Sequence, residues 1–280
     1  MAIQSLPVKS NIEEIEIKLL LEGVSLRYGY DFREYALAPL RRSLTMGMAG
    51  EGVSTISAYQ DRLLHDASAM KRFIGAVGVA VTGMFREAET LRCIREEVVP
   101  ALRTYPSVRA WVAGCATGEE VYSLAAVLEE EGVYDRCRVY ATDLNEDALA
   151  AAQKGVYPLD RVRSYETDYL RSGGRGALAD FYTVSGHNAT VRRSLQRKIT
   201  WARHNLVTDA SFNEFQLIVC TNVLIYFKPA LQERAHRLFY ESLVRSGYLA
   251  LGRRESLTFN PESSRYEAVA DGLSLFRKVR

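Results

Sequence analysis

The 280-residue chain has few cysteines and no long apolar run. Its four cysteines, Cys93, Cys115, Cys137 and Cys220, form no Cys-x-x-Cys pair, so neither a zinc site nor a disulfide framework is predicted. The four histidines have no metal-ligand spacing either, and we expect no metal. No stretch reaches the roughly 18 apolar residues of a membrane helix, and the start, MAIQSLPVKSN, lacks the features of a secretion signal. We expect a cytoplasmic protein without membrane insertion.

A strong charge imbalance is also absent. The formal net charge is +2 and 48% of the residues are hydrophobic, so we expect a packed core and no nucleic-acid partner. Residues 161–203 are locally basic, with nine Lys or Arg against three Asp or Glu. This excess indicates either a surface for an acidic partner or a solvated edge strand that charge protects from aggregation.

The first hundred residues show helical periodicity without strand alternation. Asn11 is a predicted N-cap, Gly23 a predicted stop, and the glycines from Gly47 to Gly52 mark a predicted loop. Further helices are predicted over residues 32–45, 55–65, 68–79 and 87–102. We therefore predict an N-terminal all-helical domain with a linker helix over residues 1–105.

After Pro106 the pattern changes to an alternation of strands and helices. Strands are predicted over residues 108–113, 137–142, 215–221 and 247–251, with helices over 119–130, 146–153 and 229–244. This order predicts an α/β, Rossmann-like sandwich with a parallel sheet over residues 106–280. An Asp-Gly pair at Asp271 and Gly272 predicts a terminal β-hairpin. A turn cluster followed by a basic run predicts a small antiparallel β insertion on the sheet edge at about 181–203.

The first predicted strand runs into a glycine turn that carries two acids, Glu119 and Glu120. Acids disfavour a phosphate, and the third glycine of Gly-x-Gly-x-x-Gly is missing, which argues against nicotinamide and flavin cofactors. Asp143, at the end of the second strand, can accept hydrogen bonds from two ribose hydroxyls. S-adenosylmethionine, with a sulfonium and an ammonium group but no phosphate, suits these acids. The alternative is that the Glu pair only caps its helix.

Six ordered pieces of the chain resemble the chemotaxis-receptor (CheR-type) methyltransferase family. They are VTGMFRE from Val81, AGCATGEEVYSLA from Ala113, YATDLNEDAL from Tyr140, HNL from His204, VCTNVLIYF from Val219 and LGRRESL from Leu251. The resemblance implies a class I methyltransferase that esterifies glutamates with S-adenosylmethionine and releases S-adenosylhomocysteine. It also implies a partner, the cytoplasmic helical domain of a chemoreceptor.

The resemblance implies a set of site residues. It places at the cofactor Thr82, Arg86, Gly114, Glu119, Asp143, Asn205, Leu206, Thr221 and Asn222. A glutamate substrate is ionised at neutral pH and needs no strong base, so positioning should dominate catalysis. Arg86 and Tyr226 are our candidates for orienting its carboxylate, although Tyr226 can equally be a core aromatic.

Several positions depart from the family pattern. Ala80 stands where an Asn is common, and Thr221 stands where an Arg is common. These changes leave open a regulatory module that binds the cofactor with little turnover, or a different substrate. Arg41 and Arg42 begin a receptor-recognition segment that is less basic than in relatives, which predicts weaker binding to an acidic coiled coil. The short VSGHNAT turn predicts that the protein is not tethered to a receptor's C-terminal pentapeptide.

Overall fold

The computed structural model describes residues 11–77, 82–257 and 260–279. The chain divides into two compact units, residues 1–77 and 78–280. The domain boundary at residue 106 stays a prediction. Within the described ranges, none of the helices combines the length and the apolar content that crossing a bilayer requires.

The described part of the first unit is helical. Its helices are α1 (Ile12–Tyr28), α2 (Leu37–Glu51), α3 (Ile56–His65) and α4 (Ala67–Val77). The side chain of Asn11 accepts a hydrogen bond from the N–H of Glu13, which confirms the predicted N-cap. The rings of Phe32 and Tyr59 both pack edge-on against Phe73 in the core.

Three of the four glycines predicted to interrupt these helices, namely Gly23, Gly47 and Gly50, lie inside them instead. Helix α1 continues through Gly23, and α2 starts later than predicted and runs through Gly47 to Glu51. A Cβ on Gly47 would lie 2.2 Å from the hydroxyl oxygen of Tyr59 on α3. Glycine is therefore required here because the two helices pack closely, which outweighs its poor helix propensity. The predicted stop at Gly23 and the predicted start of the loop at Gly47 were wrong, whereas Gly52 ends α2 and begins the loop as predicted.

The second unit contains ten strands, eight α-helices and one π-helical turn in its described part. The helical segments are α5 (Ala88–Cys93), a π-helical turn (Ile94–Val98), α6 (Val99–Leu102), α7 (Glu119–Glu130), α8 (Glu146–Lys154), α9 (Leu159–Arg163), α10 (Glu166–Arg171), α11 (Arg193–Gln196) and α12 (Pro229–Ser242). The strands are β1 (Val108–Ala113), β2 (Cys137–Asp143), β3 (Val156–Pro158), β4 (Tyr182–Ser185), β5 (Asn188–Val191), β6 (Ile199–Arg203), β7 (Phe215–Cys220), β8 (Leu243–Leu251), β9 (Tyr266–Ala268) and β10 (Leu275–Lys278).

Seven strands form a mixed sheet in the order β6-β2-β1-β7-β8-β10-β9. The first five run parallel, and β10 is antiparallel to both β8 and β9. The predicted Rossmann-like sandwich and the terminal hairpin are confirmed. Trp111 on β1 is fully buried and donates its indole N–H to Thr142 Oγ1 at 2.8 Å, which ties β1 to β2.

The antiparallel insertion is a separate sheet, with the order β3-β5-β4, and does not extend the edge of the main sheet. The insertion was predicted to lie on the edge of the main sheet, and this position was wrong. The basic run that follows it in sequence forms α11 and β6, and β6 itself occupies that edge. Strand β6 pairs in parallel with β2, so that this run closes the main sheet itself. The run in fact belongs to the parallel layer.

The basic excess over residues 161–203 is largely neutralised by neighbouring acids. Arg171 pairs with Glu89, and Arg175 pairs with the buried Glu131. Arg197 likewise lies 3.3 Å from Asp135. These pairs favour the reading of the run as a solvated surface over that of a site for an acidic partner.

Candidate functional site

The carboxyl ends of β1, β2, β7 and β8 meet at one edge of the sheet. The strand order reverses around β1, with β2 on one side and β7 on the other. In open α/β sheets, such a reversal opens a crevice in which ligands bind. The turns that follow these four strands therefore form the candidate site.

The turn after β1 can be made only with glycine at its ends. Gly114 has φ +73° and Gly118 has φ +90°. A Cβ on Gly114 would lie 2.4 Å from Val223 Cγ2, and one on Gly118 would lie 2.8 Å from Ala152 Cβ. The missing side chains let the backbone of the turn lie close to Val223 and Ala152.

Glu119 begins α7 and is fully buried. Its Oε2 accepts a hydrogen bond from Thr117 Oγ1 at 2.6 Å. Arg161 Nη2 lies 3.1 Å from Oε1, but this contact is electrostatic, since Oε1 accepts no hydrogen bond from any described residue. A buried carboxylate oxygen with an unused lone pair is the partner that an ammonium group needs.

Asp143 lies at the end of β2, one strand away from the glycine turn. Its Oδ2 accepts the N–H of Ala116 and its Oδ1 accepts the N–H of Asn145, both at 2.8 Å. Burial raises the pKa of Asp143, whereas these backbone bonds lower it. Each carboxylate oxygen offers two lone pairs, so both can still accept a ribose hydroxyl.

Asn205 and Leu206 follow β6 beside Asp143. The N–H of His204 donates to the carbonyl oxygen of Asp143 at 3.2 Å, and Asn205 and Leu206 are buried. Asn205 Oδ1 accepts the N–H of Val207 at 2.9 Å. The structure thus brings both residues next to Asp143, and the amide oxygen of Asn205 also stabilises its own turn.

Three further acids converge where β7 and β8 end. This acidic cluster consists of Glu87, Glu120 and Glu255. Thr221 Oγ1 donates to Glu120 Oε1 at 2.7 Å. Asn222 donates its side-chain amide to Glu87 Oε1 at 3.2 Å and its backbone N–H to Glu255 Oε2 at 2.9 Å. These bonds hold Asn222 in the left-handed region, at φ +59°.

The pKa of Glu120 is raised strongly by its position in this cluster. Its pKa is raised to about 7, chiefly by burial and also by the charges of Glu87 and Glu255. The hydroxyl of Thr221 and the charge of Arg86 act in the opposite direction. A carboxyl group at this site can therefore change its charge near neutral pH.

Arg86 and Thr82 reach this region through a strained segment. Phe85 is buried at φ +56°, and its N–H donates to Ser123 Oγ on α7 at 2.8 Å. Such a conformation is unfavourable for a bulky residue, and here it fixes the direction in which the chain leaves toward Arg86. The carbonyl oxygen of Thr82 accepts a hydrogen bond from Arg161 Nη2 at 2.6 Å.

The remaining predicted residues lie in different places. Tyr226 is half-buried and ends the 3₁₀ turn Leu224–Tyr226, directly after the segment that Glu255 holds. Arg41 and Arg42 belong to the first unit, where Arg41 pairs with Glu13 at 3.0 Å and Arg42 is exposed. Ala80 lies outside the described residues.

Sequence reasoning missed three residues of the site: Glu87, Glu255 and Arg161. Glu87 is the last residue of the VTGMFRE piece, and Glu255 lies within the LGRRESL piece. Their position in segments that resemble the family could have pointed to them. Arg161 carried no signal because it meets Glu119 only in the folded chain. The described residues contain no group of three or more His, Cys, Asp or Glu placed to bind a metal ion.

The chain matches known proteins over nearly all of its length. A family model described as the CheR methyltransferase SAM-binding domain matches residues 80–270, and one described as the CheR methyltransferase all-alpha domain matches residues 15–77. Cher3 of Pseudomonas putida, which carries a provisional methyltransferase name, is 44% identical over 95% of this chain and 97% of its own length. The chemotaxis protein methyltransferase of Listeria innocua is 28% identical over 83% of this chain and 86% of its own. That of Salmonella typhimurium is 28% identical over 78% and 73%.

Proposed function

The chain belongs to the CheR methyltransferase family and uses S-adenosylmethionine, and from this premise we propose that it forms methyl esters on glutamate side chains of a chemoreceptor. The observation that carries the proposal is that both family domains, the SAM-binding and the all-alpha one, occur together in this chain. The proposed partner is the cytoplasmic helical domain of the receptor, and the proposed location of the reaction is the cytoplasm. We retain residues 1–105 and 106–280 as the proposed domains.

The site fits the cofactor through its acids and its glycine turn. Glu119 offers the ammonium group a buried oxygen that accepts no hydrogen bond but lies 3.1 Å from Arg161 Nη2, and Asp143 offers lone pairs to the ribose. The proposed contacts also include backbone and polar groups of other turns, namely those of Thr82, Arg86, Gly114, Asn205, Leu206, Thr221 and Asn222. When bound, S-adenosylmethionine supplies an electrophilic methyl group on a positively charged sulfur.

The protein's own task is to position the methyl acceptor. A glutamate carboxylate is ionised at neutral pH, so no group has to remove a proton from it. Arg86 attracts the carboxylate by charge, and Tyr226 orients it through its hydroxyl.

Receptor recognition is assigned to the first unit, through Arg41 and Arg42. Arg41 already forms an ion pair with Glu13. Arg42 should therefore contribute most of the electrostatic attraction to an acidic helix. In the separate sheet, β4 and β5 are joined by only Gly186 and His187. This tight turn supports the proposal that the chain does not use a pentapeptide tether. Calorimetry should show no tight binding of a receptor C-terminal pentapeptide.

The proposal is tested by methyl transfer from radiolabelled S-adenosylmethionine to a receptor cytoplasmic fragment from the same cell. Glutamyl methyl esters are base-labile, so we expect radioactivity that mild alkali releases as methanol. Arg42→Ala should reduce the transfer, whereas Arg245→Ala, on β8, serves as the matched control. Cofactor binding without any transfer would instead favour a regulatory module, an alternative motivated by Thr221.

A further inference from the structure

The three acids of the acidic cluster differ in how their oxygens are satisfied. Glu255 accepts the N–H groups of Gly252, Asn222, Val223 and Leu224 at 2.7 to 2.9 Å. Every one of these partners can only donate, so the four bonds favour the ionised form of Glu255 and oppose the burial that raises its pKa.

Glu87 is held by a single side-chain donor. Its Oε1 accepts the amide of Asn222, and its Oε2 is buried without a hydrogen-bond partner among the described residues. The side chain is more than nine-tenths buried. Buried polar atoms normally have a hydrogen-bond partner, so Glu87 Oε2 has room for a donor from outside the described residues.

Glu120 differs from both because its partner is a hydroxyl. Thr221 Oγ1 lies 2.7 Å from Glu120 Oε1, and a hydroxyl can donate or accept. Glu120 can therefore gain a proton without breaking this contact, which Glu255 cannot do. The charged groups that act on it are Glu87, Glu255 and Arg86, and burial together with the two acids places its pKa at about 7.

The acceptor of the proposed reaction adds another negative charge to this site. A substrate carboxylate would join the charge of Glu255 and the charge of Glu87, with Arg86 as the counter-charge from the chain. Two like charges close together in a buried site cannot both stay ionised easily, and one of the two then keeps a proton. The substrate must remain ionised to attack the methyl group, so the proton belongs on the enzyme.

We propose that Glu120 is a positioning residue that acts as a neutral carboxylic acid and donates a hydrogen bond to the methyl-accepting carboxylate; this inference rests on the proposed glutamate substrate. The bond goes to the oxygen that does not attack. The other oxygen forms the new bond to the methyl carbon, and the bond from that carbon to sulfur breaks with its electron pair left on sulfur. The proton of Glu120 is not transferred.

The inference predicts a rate that falls as the pH rises. A group with a pKa of about 7 is protonated in about three quarters of the molecules at pH 6.5 and in about 3% at pH 8.5. We expect kcat/KM for the receptor fragment, at saturating cofactor, to fall about 25-fold over this range. In Glu120→Gln the amide cannot ionise, so kcat/KM should be the same at both pH values.

Two further variants separate this role from a structural one. Thr221→Val removes the hydroxyl that stabilises ionised Glu120, so the midpoint of the fall should move to higher pH. Glu129→Gln, on the same helix but facing Arg192, should keep the wild-type profile. Binding of S-adenosylhomocysteine, measured by calorimetry, should stay constant from pH 6.5 to 8.5.

A direct titration completes the test. The infrared difference spectrum between pH 6.5 and 8.5 should show a protonated carboxyl band in the wild type that Glu120→Gln lacks. Ester formation with a flat wild-type profile, or an unchanged fall in Glu120→Gln, would overturn the inference and leave the proposed function standing. An absence of ester at every pH, with the infrared band present, would overturn the proposed function and the assigned acceptor together.

Discussion

The stability of the second unit should depend on pH through one buried histidine, His236. Its side chain lies on α12 and is 2% exposed, and Nδ1 has no hydrogen-bond partner among the described residues. Burial lowers the pKa of His236 from 6.5 to about 4. The folded state therefore favours the neutral ring. The stability that depends on this neutral ring is fully present above pH 6.5 and is lost as the pH falls toward 4.

The size of the effect follows from this shift. Relative to neutral pH, linkage gives a loss of about 1.4 kcal/mol at pH 5.5 and about 2.5 kcal/mol at pH 4.5. Both tryptophans of the chain, Trp111 and Trp201, lie in the second unit, and Trp111 packs against Phe239 on the same helix as His236. Tryptophan fluorescence during urea unfolding at pH 7.5 and 5.5 thus reports on this unit.

A variant isolates the histidine from the acids that titrate in the same range. In His236→Leu, the decrease in the free energy of unfolding between pH 7.5 and 5.5 should be smaller than in the wild type by about 1.4 kcal/mol. His187→Asn, in the exposed turn between β4 and β5, serves as the matched control and should behave as the wild type does. An equal decrease in His236→Leu and wild type would refute the reasoning.

Three substitutions test the site. Glu119→Gln removes a charge-assisted hydrogen bond and should weaken S-adenosylhomocysteine binding by roughly 10- to 100-fold in calorimetry; an unchanged Kd would remove Glu119 from the ammonium site. Tyr226→Phe should lower kcat roughly tenfold with cofactor binding intact; equal turnover would make Tyr226 a core aromatic. Gly114→Ala should lower the free energy of unfolding by about 1–3 kcal/mol more than Gly132→Ala, because both have positive φ but only the Gly114 Cβ would meet a neighbour within 4 Å.

The sequence predicted best those elements whose local signals agree with their surroundings. Strand β1 and helix α7 have the predicted bounds, since an unbroken apolar run and an acidic first turn mark them. Asp143 and the glycine turn lie together as predicted, because parallel strands bring their carboxyl ends to one edge. Their roles in binding stay predictions.

The features that escaped prediction depend on contacts between distant segments. Gly47 allows α2 to pack on α3 and so continues a helix that its residue type would interrupt. Glu120 meets Thr221 across 101 positions of the chain, and Asn222 meets Glu87 across 135. Such pairings leave no periodicity in the sequence, and neither does the burial that raises the pKa of Glu120.

Cofactor binding by this chain depends most directly on whether the acids at positions 119 and 143 bind a positively charged sulfur nucleoside. Calorimetric titration of the full chain with S-adenosylmethionine, with S-adenosylhomocysteine and, separately, with NAD⁺ decides this. We predict saturable heat at one site per chain for the two nucleosides and none for NAD⁺. Heat from NAD⁺ alone, without binding of either nucleoside, would contradict the assignment of S-adenosylmethionine as the cofactor.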